Sequence, residues 1–87
     1  MPYIRKFNRE ALDKIVNLLK KDRLALPAGE LNYLITKILS YAKELNGESY
    51  STYNELIGVL ECVKFELYRR KIVPYENKKK KENGDVY

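Results

Sequence analysis

The chain has 87 residues, enough for one domain, and carries 17 Lys and Arg against 12 Asp and Glu, a formal net charge of +5. It has no His and one Cys, which excludes a zinc site of the usual His and Cys ligands and any nucleophile paired with His. Its four glycines are scattered, so no glycine-rich phosphate loop is present. Acid–base chemistry by Glu, Asp, Lys or Tyr stays open, but we expect a protein that is not an enzyme and uses no cofactor.

Small size makes the chain marginal as a monomer, because a short chain buries a small share of its surface. Cys62 is the only cysteine, so no disulfide can stabilise the fold, and a single thiol is typical of a reducing cytoplasm. No apolar run is long enough to span a membrane. We therefore expect a homo-oligomer, and the positive charge together with eight tyrosines favours an anionic partner such as a nucleotide or a nucleic acid.

The periodicity of apolar residues predicts an all-α domain over residues 1–87. Asn8 is the expected N-cap of the first helix, and Ser51 that of the third. Asn46-Gly47 is a typical helix end. The predicted helices cover about residues 8–22, 29–46, 51–73 and 74–82.

The third helix is apolar around much of its circumference, which predicts a central position or an interface between subunits. Pro74 predicts a kink or a stop near Val73, followed by a short helix that ends at Asn83-Gly84. On that short helix the lysines 78–81 are expected to form a solvated face, with a nucleic-acid contact as the alternative.

Three groups of residues are candidate ligand contacts. At the end of the third helix the guanidinium groups of Arg69 and Arg70 could bind a phosphate, although pairing with Glu66 is the alternative. Gly58 leaves room either for a ligand or for a close helix crossing, and a polar stripe runs beside it. The start of the second helix offers a polar face that could equally be plain solvent exposure. The complete set of candidates is Tyr68, Arg69, Arg70, Asn54, Glu61, Asn32, Tyr33 and Tyr87.

The blocks GELNYLIT, NELIGVLECVKFELYRR, PYENK and ENGDVY resemble a family of short proteins carried by phages and prophages, over about residues 29–87. That resemblance implies a place in the cytoplasm of a bacterial host and implies that the ENGDVY tail belongs to the working structure. It supplies no catalytic residues. By size and composition alone, the chain also resembles viral sponge proteins, which are small oligomers that sequester nucleotide immune signals of bacterial defence systems such as Thoeris and CBASS.

These observations lead to an expected function, with two alternatives. We expect a non-catalytic oligomer that sequesters an anionic, nucleotide-like small molecule. The alternatives are an accessory protein that binds nucleic acid and a protein–protein adaptor or inhibitor. Tyr87 and Val86 are expected to be buried, against their own chain or against a neighbouring subunit, because two large side chains follow a helix stop.

Overall fold

The computed structural model of the protein describes residues 2–87, which form helices and no strands. The predicted all-α class is therefore confirmed for this part of the chain, whereas assembly as an oligomer stays a prediction. A π-helical turn, in which the helix widens, separates the last two α-helices. The elements are α1 (Lys6–Lys21), α2 (Ala28–Asn46), α3 (Tyr50–Leu67), the π-helical turn (Tyr68–Ile72) and α4 (Val73–Asn83).

The described residues divide into two compact units, Pro2–Tyr53 and Asn54–Tyr87. The first unit contains α1, α2 and the first residues of α3. The second contains the remainder of α3, the π-helical turn, α4 and the tail. The organisation of residues 1–87 as a single domain stays a prediction.

The start of α1 differs from the prediction. The helix begins two residues before Asn8, with Arg5 as its N-cap, and no side chain caps it. Asn8 instead donates its backbone N–H to the carbonyl of Arg5 (2.9 Å). The guanidinium of Arg9 donates to the carbonyl of Ile4 (2.9 Å), which ties the first turn to the residues before it but caps no N–H of the helix.

The N-cap of α3 also differs from the prediction, because it is Ser49 and not Ser51. The Ser49 hydroxyl accepts the backbone N–H of Thr52 at 3.1 Å and also bonds the Thr52 hydroxyl at 3.1 Å. This satisfies one of the donors that a helix N-terminus leaves unpaired. Thr52, 7% exposed, is the only buried residue among residues 2–87.

Glycines end α2 and α4 as predicted. Gly47 (φ 84°) donates its N–H to the carbonyl of Lys43, and Gly84 (φ 89°) donates to that of Lys80, both at 2.9 Å. A residue with a Cβ rarely adopts such a positive φ, so glycine is the natural choice at both positions.

Pro74 produces a change of helix type rather than a break. Its ring clashes with the carbonyl four residues earlier in an ordinary α-helix. The backbone widens into the π-helical turn, and the N–H of Val73 bonds the carbonyl of Tyr68, five residues back. Pro74 then lies at the start of α4, where its missing N–H leaves no gap.

The described part of the chain has no hydrophobic core. No hydrophobic side chain in residues 2–87 is buried, and α3 exposes Val63 and Leu67 by more than half. In α2, Leu34, Leu39 and Ala42 are half-buried while Leu45 remains largely exposed. Much of the apolar surface of the helices is thus exposed to solvent.

Candidate functional site

A cleft of about 580 Å³ lies within the unit Asn54–Tyr87, between the π-helical turn, the second half of α4 and the tail. Two aromatic rings line it, Tyr68 from the π-helical turn and Tyr87 from the tail. Its hydrogen-bonding groups come mainly from α4. They are Glu76, Asn77, Lys79, Lys80 and Asn83, with Asp85 from the tail.

The tail turns back at Gly84 and is held by short-range bonds. After the positive φ of Gly84, the carboxylate of Asp85 accepts the backbone N–H of Tyr87 (Oδ1, 2.9 Å) and lies 3.9 Å from the ammonium of Lys80 (Oδ2). An Asp that bonds a backbone N–H two residues on makes a local turn of its own. This turn places the Tyr87 end of the tail at the cleft.

The charges in the cleft are paired weakly. Lys79 lies 3.4 Å from Glu82 and 5.6 Å from the centre of the Tyr75 ring, while Lys80 reaches Asp85 only at 3.9 Å. All four charged side chains are about half exposed. Ion pairs in such a position contribute about 0–1 kcal/mol.

The cleft brings together two of the eight candidates from the sequence, Tyr68 and Tyr87. The two arginines beside Tyr68 do not line it. Arg69 donates two hydrogen bonds to the carboxylate of Glu66, both at 3.0 Å, which is the pairing that stood as the alternative to an anion site. Arg70 lies exposed in the π-helical turn.

The expected burial of Tyr87 and Val86 against their own chain is wrong. Tyr87 has a relative exposure of 113% and Val86 of 90%. The tail bonds only through its backbone and through Asp85, so nothing in residues 2–87 covers these side chains. Burial against a neighbouring subunit stays a prediction.

A Cβ placed on Gly58 would meet no atom of the described residues within 4 Å outside its own helical turn. Glu61 pairs with Lys64 at 3.1 Å, and Asn54 lies exposed on the same helix.

Asn32 and Tyr33 belong to the other unit, Pro2–Tyr53, and lie on α2. The hydroxyl of Thr36 donates to the backbone carbonyl of Asn32 (2.8 Å), a bond within the helix. The Tyr33 ring is 66% exposed, with the ammonium of Lys37 at 5.9 Å from its centre. Both candidates lie on a solvated helix face in the single chain.

One polar contact was not anticipated from the sequence. The hydroxyl of Tyr53, in the first turn of α3, donates to the carboxylate of Glu48, which lies just before the helix, at 2.6 Å. This hydrogen bond to the carboxylate, followed by slight desolvation and the nearby negative charge, raises the pKa of the Tyr53 phenol above its ordinary value. The phenol therefore stays protonated and available as a donor.

Glu76, Asn77, Lys79, Lys80 and Asn83 line the cleft but were not among the candidates from the sequence. The lysine run reads as a uniform solvated face, and only the turn at Gly84 distinguishes two of its four members by bringing the tail over them. The available signal was the Asn83-Gly84 stop followed by Asp85, a combination that favours a turn instead of an extended end.

The fold and the cleft define a small helical protein with exposed apolar side chains and a cleft beside its tail. The chain belongs to the family of the domain of unknown function DUF6899, whose family model matches residues 1–86. No curated protein and no solved structure matches the chain. None of the helices in residues 2–87 is long and apolar enough to cross a membrane.

Proposed function

We propose that the protein is a non-catalytic, homo-oligomeric binding protein of the phage type that sequesters an anionic, nucleotide-like small molecule in the cleft beside its tail. The observation that carries the proposal is the convergence of Tyr68, Tyr87, Lys79 and Lys80 on one cleft of about 580 Å³. Tyrosine rings offer stacking faces to a base, and ammonium groups bind phosphate. The volume falls in the range of small-molecule sites.

The exposure of the tail supports the oligomeric part of the proposal. Tyr87 and Val86 border the cleft but have no cover from their own chain, so a second subunit or a ligand must provide it if they are to be buried. Arg69 and Arg70 stay proposed contacts of the assembled form, because they lie on the element that contributes Tyr68 but face no cleft in the single chain.

The adaptor function is the second candidate, and a specific observation favours it. Large apolar side chains are exposed along α1, α2 and α3, as expected of a surface that receives another protein. An adaptor would bind a protein through these stripes and leave the cleft without a ligand.

A binding experiment with matched lysine variants tests the proposal. Native mass spectrometry and calorimetry with cyclic dinucleotides and ADP-ribose as probes would report subunit number and affinity. We expect Lys79→Ala and Lys80→Ala each to weaken binding by tenfold or more, since a charge-assisted hydrogen bond contributes about 1.5–3 kcal/mol. Lys78→Ala and Lys81→Ala are the controls, because both come from the same run and neither lines the cleft.

Two results would contradict this assignment. Equal losses in all four lysine variants would show a diffuse electrostatic attraction, of the kind that nucleic acid experiences, instead of a cleft. No binding of any nucleotide by an intact oligomer would favour the adaptor.

A further inference from the structure

An apolar stripe on the second part of α3 remains without a partner. Leu56, Leu60, Val63 and Leu67 follow one another at spacings of four, three and four residues. This is the spacing of the a and d positions of a heptad repeat, the residues by which one helix packs against another. Leu56 is half-buried and Leu60 37% exposed, while Val63 is 57% and Leu67 55% exposed, so the stripe is open mainly at Val63 and Leu67.

We propose that this stripe packs antiparallel against the same stripe of a second copy of the chain. The inference rests on the homo-oligomer of the proposed function and specifies one of its interfaces. In the antiparallel orientation the residue spacings of the two copies match. Leu56 packs against Leu67 of the other copy, and Leu60 packs against Val63. Each a position then faces a d position in four consecutive layers, and the interface is isologous.

The charges along the helix favour this orientation over the parallel one. Residues 54–61 contain two carboxylates, Glu55 and Glu61, and no Lys or Arg. Residues 62–71 contain four cations and a single carboxylate, Glu66. An antiparallel pair brings the acidic half of each copy beside the basic half of the other, whereas a parallel pair brings like charges together along both halves. The helix dipoles are also opposed favourably.

Spin labels on single cysteines test the orientation in the full chain. The native Cys62 lies beside the centre of the proposed pair and off the stripe, so labels on two copies should differ in position along the helix axis by only about 1–2 Å. In Cys62→Ser with Asn54→Cys the labels should lie about 22 Å apart along the axis, at 1.5 Å per residue. Dipolar electron-spin measurements on both proteins would show a short and a clearly longer distance.

A pair of exposed apolar residues provides the interface variants. Leu60→Glu should raise the dissociation constant of the oligomer by about a hundredfold or more, because each interface contains the residue twice. Phe65→Glu is the control, since Phe65 is 62% exposed on the same helix and points about 140° away from Leu60. Leu60→Ala, which keeps a strong helix former, should weaken association in the same direction while circular dichroism at high concentration stays unchanged.

The outcomes separate this inference from the proposed function. Equal label distances at both positions in an oligomer would overturn the antiparallel pair and leave the homo-oligomer standing. If the oligomer tolerates Leu60→Glu, or if Phe65→Glu weakens association as much as Leu60→Glu does, the interface lies on another face. Sedimentation of the unmodified protein as a monomer at tens of micromolar would overturn the homo-oligomer and this pair together.

Discussion

Single hydroxyl and amide groups determine where the helices of this protein begin and end. Ser49 caps α3 through the N–H of Thr52, although Ser51 has the same side chain two residues later. The choice follows from geometry, because a cap must lie just outside the helix with its oxygen near the N–H three residues on. Gly47 precedes Ser49 by two residues and ends α2, so a single short turn serves both helices.

The two serines give a prediction with an internal control. Ser49→Ala should lower the free energy of unfolding by about 1 kcal/mol, since an N–H at the start of α3 loses its acceptor. Ser51→Ala should change it by less than about 0.5 kcal/mol, because Ser51 is already inside the helix. Urea denaturation followed by circular dichroism at one fixed protein concentration measures both. Equal effects of the two substitutions would show that Ser49 is not the cap.

Among the elements, helix existence is more predictable from sequence than helix ends or helix type. The apolar spacing and the Asn-Gly stops predict four helical segments, and those segments are present. Asn8 is not a cap because α1 already begins at Lys6, so Asn8 lies inside its first turn. Pro74 predicts an interruption correctly, but whether the chain breaks or widens depends on the carbonyl that the ring displaces, which only the folded backbone reveals.

The cleft was less predictable than the helices. Tyr68 was a candidate because two arginines follow it, and Tyr87 because large side chains follow the Asn83-Gly84 stop; both line the cleft. Lys79 and Lys80 could not be distinguished from Lys78 and Lys81, because which lysines meet the tail depends on the backbone turn at Gly84. Residues that become neighbours through a turn with a positive φ show no periodic pattern in the sequence.

The tail is the element whose deletion is most informative. Removing Asp85, Val86 and Tyr87 should leave the helicity unchanged, since Val86 and Tyr87 are exposed and Asp85 makes only a 3.9 Å ion pair with Lys80. It should abolish nucleotide binding in the cleft or shift the oligomer toward smaller species, because the tail forms one side of the cleft. Calorimetry and sedimentation of the truncated protein check both effects, and replacing only Val86 by Ala is the control. A truncated protein with full binding and the same mass would show that the tail has no such role.

At the scale of the whole molecule, the exposed apolar side chains raise the question of what stabilises the fold. A folded domain gains most of its stability from buried apolar surface. Here no hydrophobic side chain of residues 2–87 is buried, although helices in proteins gain most of their stability from packing an amphipathic face. If another chain covers the exposed apolar surface, as we propose, that burial would supply the missing stability.

This dependence makes the melting temperature a test of assembly. If burial is completed by other copies of the chain, unfolding is coupled to dissociation, and mass action raises the melting temperature with protein concentration. We expect a rise of several degrees between about 1 and 100 µM, with partial loss of helicity at the lowest concentration at 25 °C, since each tenfold step changes the free energy of association by about 1.4 kcal/mol. Circular dichroism melts across that range measure it, and Leu60→Glu should shift the whole series downward whereas Ser51→Ala should not. A melting temperature that is constant over the hundredfold range would mean that the single chain is stable alone. It would favour the adaptor, whose exposed apolar surface binds a different protein.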